Sequence, residues 1–124
     1  MASSRPQRGL RARRDGLRGE IIAALWLMAK GYRIIGFHLR TPQAEIDLLA
    51  KKGDVVAVVE VKRRTDIATA LDAVSYRQRE RLLRAASGLT ARRPDLIGAA
   101  VRLDLLALAP GRWPRHIRDA WRGE

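Results

Sequence analysis

The sequence predicts an α/β domain with a mixed sheet, in the order αβββαβ. Three observations carry that prediction. Apolar residues recur at helical spacing across residues 16–30, three strand-like segments follow between residues 32 and 61, and a second helical stretch at about 69–87 leads into another apolar segment. With 124 residues and 47% hydrophobic composition, there is material for one core and no room for two. The expected organisation is a single domain over residues 16–124, preceded by a flexible basic arm over residues 1–15.

In the first helix, Leu17, Ile21, Ala24, Leu25 and Met28 fall within about 100° of arc and form the expected buried face. Gly31 supplies a stop signal, and the β-formers Tyr32, Ile34, Ile35 and Phe37 predict a strand that Thr41 and Pro42 end. Two further strands, at 45–50 and 55–61, flank Lys51-Lys52-Gly53-Asp54, a composition suited to a tight hairpin. The second of them is mostly Val, so both its faces should be buried. Leu71, Val74, Leu82 and Ala86 then predict a helix or a broken pair of helices with a cationic outer side, ended by Gly88. A loop at 91–94, a fourth strand within 98–109 and a short final segment at 113–121 complete the chain.

Charge narrows the partners. The chain carries 25 basic and 13 acidic residues, a net charge of +12, and 21 of the basic residues are Arg. Such a balance favours a polyanion, with nucleic acid ahead of anionic membranes and acidic ribosomal surfaces. The longest run without charge, residues 21–29, is far shorter than the roughly 20 apolar residues of a membrane span, and no secretory signal is present. The expectation is a cytoplasmic protein without a membrane partner. The chain contains no Cys and only two His, which excludes disulfides, thiol catalysis and Cys-rich zinc sites. A metal here would be held by carboxylates.

Acidic residues inside apolar strands are the candidate chemistry, because burying an unpaired carboxylate costs several kcal/mol. Glu45 and Asp47 share one face of the second strand, and Glu60 shares a face of the third with Lys62. A two-residue loop at Lys52-Gly53, or a four-residue loop from Lys51 to Asp54, would set Glu45 opposite Glu60 and gather all four side chains on one surface. A loop of odd length would separate them. Oxygen ligands of this kind suit Mg²⁺ or Mn²⁺: Asp47, Glu60 and the backbone carbonyl of Val61 as direct ligands, with Lys62 orienting water or neutralising transition-state charge. Glu20 is the candidate fourth carboxylate, at the border of the helix's buried arc. A competing reading is a structural ion-pair network in which Glu60 binds Lys62 or Arg64 and Glu20 pairs with a neighbouring Arg. Arg77, Arg79, Arg81 and Arg84 could clamp phosphates or form a solvated helix face. The aromatic residues are read as packing groups, and His38 and His116 as structural or surface residues.

Gly19-Glu20, Gly31-Tyr32-Arg33-Ile34, Ala44-Glu45-Ile46-Asp47-Leu48-Leu49 and Val59-Glu60-Val61-Lys62-Arg63-Arg64 together resemble the UPF0102 (YraN-like) family. The likeness runs from about Gly19 to Asp104, and more faintly to His116-Ile117. It implies the restriction-endonuclease-like fold of Holliday-junction resolvases, the PD-(D/E)xK core, with a central mixed sheet flanked by helices. By that likeness Glu20 matches the helix glutamate, Asp47 the metal aspartate, Glu60 the second metal carboxylate and Lys62 the catalytic lysine. Here Ala44, Val58 and Arg63 stand where the family usually has Gly, an aromatic residue and Thr, and Gln78 stands where relatives often have Lys. Arg63 adds charge beside the site, and Arg64 follows it. Resolvase relatives act as symmetric dimers, so a homodimer stays open, although no residue marks its surface.

Three functions follow as expectations: a Mg²⁺- or Mn²⁺-dependent endonuclease acting on DNA, including branched or junction DNA; a non-catalytic nucleic-acid-binding module of the same fold; and a basic protein carried on a ribonucleoprotein.

Overall fold

A computed structural model describes residues 18–122. The arm predicted at residues 1–15 and Leu17 lie outside the described residues. Helix α1 occupies residues 18–29. It is followed by β1 (Arg33–Arg40), β2 (Glu45–Lys52), β3 (Val55–Arg63), α2 (Ile67–Asp72), α3 (Tyr76–Arg92), β4 (Ala100–Leu108) and β5 (Arg115–Ile117). The described residues form a five-stranded mixed sheet in sequential order, with β3 and β4 parallel and the other neighbours antiparallel. No helix among them is long and apolar enough to cross a membrane.

The helices cover opposite faces. Leu48, Ala50, Ala57, Val59 and Leu106 pack with Ala23, Ala24 and Leu27 of α1. Leu49, Val56, Val58 and Leu103 pack with Leu82, Ala85 and Ala86 of α3. Strand β3 is therefore buried on both sides, as its valines predict.

The orientation of α1 corrects the sequence reading. Ile21, Leu25 and Met28 face outward, and the sheet side is made by Glu20, Ala23, Ala24 and Leu27. The two alanines let the helix lie close to the sheet, and that side alone carries Glu20 towards the strand ends. Periodicity located the helix but selected the wrong stripe, because an outward apolar row has the same spacing as an inward one. A second correction concerns Gly88, which does not end a helix: α3 runs on to Arg92. Burial of Thr90 and partial burial of Leu89 offset the cost of about 1 kcal/mol for a mid-helix glycine.

The β2–β3 hairpin is also shifted. Lys52 pairs with Val55, leaving Gly53-Asp54 as a two-residue turn, with Gly53 at φ +58°. The loop is even, but the register differs by two from the expected one, so Asp47 rather than Glu45 falls in line with Glu60.

A buried polar network ties the α1–β1 connection to β4 and β5. Asp104 is fully buried and accepts from Arg102 Nε at 2.7 Å and Nη2 at 2.8 Å, from His116 Nε2 at 2.8 Å and from the Asp119 N–H at 3.0 Å. Arg102 also donates to the Tyr32 hydroxyl at 2.6 Å, and Lys30 Nζ donates to His116 Nδ1 at 2.6 Å. With Nδ1 accepting, the imidazole proton sits on Nε2 and points at Asp104. Burial alone would raise the Asp104 pKa, but the bonds from His116, Arg102 and Asp119 overcome it and hold the carboxyl below its ordinary 3.8.

A group held below its unfolded pKa stabilises the fold above that value, and the contribution is lost as pH falls. Replacing Asp104 by Ala leaves Arg102 without its buried partner. We expect Asp104→Ala to cost about 3–5 kcal/mol in urea unfolding at pH 7, with the difference from wild type shrinking below pH 4. A loss that is constant with pH would contradict this account.

Candidate metal and phosphate site

The site lies where β2 and β3 part. Their ladder ends at the pair Leu48 and Val59, and beyond it Asp47 Oδ2 accepts the Val61 N–H at 3.1 Å. A side chain thus takes the place of a strand-to-strand backbone bond. In an extended strand the N–H and C=O of one residue point to the same edge, so the Val61 carbonyl faces this fork as well. Simple alternation also stops here, because Ile46 joins the α3-side cluster whereas Leu48 belongs to the α1 side.

A cleft of about 620 Å³ opens over the fork, and Glu45, Asp47, Glu60 and Lys62 line it together with Arg77, Gln78 and Arg81 of α3. Ser75 caps α3 by accepting from the Gln78 N–H at 3.1 Å, which fixes the helix start at the cleft wall. Glu45 is placed by the β1–β2 turn: the Thr41 hydroxyl donates to the Ala44 carbonyl at 2.7 Å and accepts the Ala44 N–H at 3.0 Å.

Glu60 is the least comfortable residue of the site. It is 2% exposed, and its Oε1 has no hydrogen-bond partner among the described residues. Burial first, and the Asp47 carboxylate second, push its pKa up to about 8, against the pull of Lys62. The buried Glu60 carboxyl, the half-buried Asp47 carboxylate and the half-buried Lys62 amine form a hard, oxygen-rich group with one acid in excess of the amine, and a divalent cation fits that set. Val61 O supplies a third oxygen.

Glu20 is placed beside this group. It is buried, and His38 bridges it to Glu45: Nε2 contacts Glu20 Oε2, and Nδ1 lies 3.1 Å from Glu45 Oε1. Burial raises the Glu20 pKa, His38 opposes the rise, and the charges of Asp47 and Glu45 add to it. His38 is the site residue that sequence reasoning missed. The pairs Phe37 with Leu48 and Leu39 with Ile46 put it across from Asp47, which the spacing over the Thr41–Ala44 turn could have suggested. Its φ of +46° breaks the pleat, however, so counting residues could not give the direction of the ring.

The predicted phosphate-binding arginines divide. Arg77 and Arg81 line the cleft and form no ion pair among the described residues. Arg79 lies over the rings of Tyr76 and Trp121, at 5.5 and 5.4 Å from their centroids. Arg84 is exposed further along α3. Arg63 and Arg64 line a separate cavity, bordered by α1. His116 belongs to the Asp104 network. Among the described residues no three His, Asp or Glu side chains are grouped as a ready cation cage, so the direct donors number two carboxylates and the Val61 carbonyl.

The model of the "Uncharacterised protein family UPF0102" matches residues 19–108. The chain belongs to the UPF0102 family. A UPF0102 protein of Caulobacter vibrioides (strain NA1000 / CB15N) is 64% identical over 122 residues, covering 98% of each chain. Those of Parvibaculum lavamentivorans and Rhizobium leguminosarum bv. trifolii are 47% and 48% identical, covering 94% and 90% of this chain and 88% and 91% of their own. Every residue lining the cleft, from Gln43 to Leu82, lies within the UPF0102 match, as do Glu20 and His38 beside it, whereas His116 lies beyond it.

Since Glu60 keeps its proton in the folded chain between its ordinary 4.5 and about 8, the folded state binds more protons than the unfolded one in that window. Stability therefore falls as pH rises through it. In the presence of chelator, Glu60→Gln should unfold at higher urea than wild type by a margin that grows from pH 5 to pH 9, reaching about 1–3 kcal/mol. A margin independent of pH would contradict the assigned titration.

Proposed function

We propose that this UPF0102 protein is a Mg²⁺- or Mn²⁺-dependent nuclease of the PD-(D/E)xK type that hydrolyses phosphodiester bonds of DNA. One observation carries the reading: Asp47 and Glu60 converge with Lys62 at a strand fork, and the buried Oε1 of Glu60 is left without a partner among the described residues. A purely structural ion pair would satisfy that oxygen. Asp47, Glu60 and the Val61 carbonyl are the atoms that would hold the cation, which supplies Lewis-acid polarisation of the phosphate and a more acidic bound water.

The chain's own contributions are positional and electrostatic. Arg77 and Arg81 hold phosphates flanking the scissile one, at the end of α3 where the helix dipole also favours negative charge. Lys62 lies next to the carboxylates and donates to the attacking water or to the phosphoryl oxygen on which charge accumulates. Glu20, fixed through His38 against Glu45, keeps acidic oxygens at the other rim of the fork and positions water there. In the reaction the water oxygen forms a bond to phosphorus, the bond from phosphorus to the leaving oxygen breaks, and the proton released from water balances the one taken up by the leaving alkoxide.

A second reading is a nucleic-acid-binding module of the same fold without hydrolysis. It is favoured by the small number of direct donors and by the His38 bridge, which occupies two of the acidic side chains.

The deciding experiment incubates wild type, Lys62→Ala and Asp47→Ala with duplex, single-stranded, flap and four-way DNA in Mn²⁺. We expect cleavage by wild type, a loss of about 10²–10³-fold with Lys62→Ala at unchanged DNA affinity, and loss of Mn²⁺ binding with Asp47→Ala. Equal cutting by wild type and Lys62→Ala would reject the assigned catalysis, and binding without any cutting would leave the module.

A further inference from the structure

A second cavity, of about 490 Å³, lies on the far side of β3 from Lys62. It is lined by the apolar side chains of Ile22, Leu108, Pro110 and Pro114 and by the guanidinium-bearing Arg63, Arg64 and Arg112. Arg63 and Leu108 form the last pair of the parallel β3–β4 ladder, so the cavity opens at the carboxyl ends of two parallel strands, where open α/β sheets place ligands. Among the described residues no acidic residue lines it, and neither Arg64 nor Arg112 forms an ion pair. Arg64 is steadied by donating to the Arg63 carbonyl at 2.7 Å.

These features select a ligand class. An apolar slot of this volume accepts a flat, uncharged ring system. Guanidinium groups at its margin bind phosphate through paired N–H groups and also stack on ring faces. The ligand is thus an aromatic ring carrying a phosphate, which is a nucleotide. Inside a duplex a base is stacked and paired, so only an unpaired nucleotide can enter a pocket of this kind.

The cavity is also placed to act with the first cleft. Lys62 and Arg63 are consecutive residues of one strand and point to opposite faces of the sheet. A strand of nucleic acid crossing the end of β3 would pass from the cleft on the α3 side to the cavity on the α1 side.

We propose that the cavity bounded by Ile22, Pro110, Pro114, Arg64 and Arg112 binds an unpaired nucleotide next to the phosphate held in the Asp47–Glu60–Lys62 cleft. This rests on the nucleic-acid reading above and deepens it: the preferred ligand has a single-stranded segment, and the cavity recognises it independently of the cation.

The test uses the full chain in EDTA, so that hydrolysis and metal binding play no part. The probes are a DNA with a single-stranded segment carrying 2-aminopurine and the fully paired duplex of the same sequence, followed by fluorescence titration at fixed salt. The expected result is at least tenfold tighter binding of the single-stranded probe. Ile22→Asp should remove most of that preference, a change of about 5- to 100-fold, and Ile22 is exposed enough for the variant to fold. Arg112→Glu, in the loop before β5, should reduce the preference in the same direction. Equal affinity of wild type for the two probes would overturn this inference and leave the nuclease reading standing. An equal loss for both probes with Ile22→Asp and Arg112→Glu would also overturn it, since that is the behaviour of general charge. Failure to bind either probe would overturn the nucleic-acid reading itself.

Discussion

Everything at the candidate site depends on one substituted hydrogen bond. Where β2 and β3 separate, the Val61 N–H is taken by the Asp47 carboxylate instead of a backbone carbonyl. This fixes Asp47 in the fork, where its charge reaches Glu60, and it leaves the strands parted far enough for a cleft to open beside them. Had the ladder continued, the fork would be closed by backbone pairing. The two-residue turn at Gly53-Asp54 sets the register that brings positions 47 and 60 together, so a local turn decides the composition of a site roughly six residues away along each strand.

The helices serve the same end from both sides of the sheet. On the α1 side, small residues on the inward stripe allow a close approach, and Glu20 is delivered beside His38 and Glu45. On the α3 side, the Ser75 cap starts the helix at the cleft wall, and successive turns present Arg77, Gln78 and Arg81. The parallel pair β3 and β4 carries the whole arrangement, with nine paired positions ending at Arg63 and Leu108. Its two faces open onto different cavities, one acidic and ringed by arginine, the other apolar with arginine at its margin.

The αβββαβ order and the double burial of β3 were legible in the sequence because hydrophobic pattern reports burial directly. The membership of Asp47, Glu60 and Lys62 in one cleft agrees with even parity, although the pairing is displaced by two residues, whereas Glu45 lies past the point where alternation stops and is placed by the β1–β2 turn. Parity depends only on the oddness of the loop, whereas register depends on which residue takes the positive-φ position, and Gly53 rather than Lys52 opens the turn. The exposed face of α1 was misread because the stripe through Ile21, Leu25 and Met28 is as regular as a core stripe. His38 was invisible for a different reason: its role arises from a backbone conformation that departs from the strand average, and such departures collect at functional sites. The division of the arginines between two cavities was likewise beyond pattern, since it depends on how α3, which carries Arg77 and Arg81, and the end of β3, which carries Arg63 and Arg64, are packed in space.

Asp104 and Glu60 show why one buried acid is read as structure and the other as chemistry. Both lie on central strands with almost no exposure. Asp104 meets an arginine fork, an imidazole N–H and a backbone N–H, and its pKa falls in spite of burial. Glu60 meets another carboxylate, and its pKa rises to about 8. The fold evidently has the means to satisfy a buried carboxylate, because it does so completely one strand away. Leaving Glu60 unsatisfied lowers stability, and the same arrangement makes its oxygens available to a hard cation. Proteins commonly trade stability for function at such positions. The contrast therefore favours the β2–β3 fork over the Asp104 network as the candidate site, even though both gather acid, base and histidine within a few ångströms.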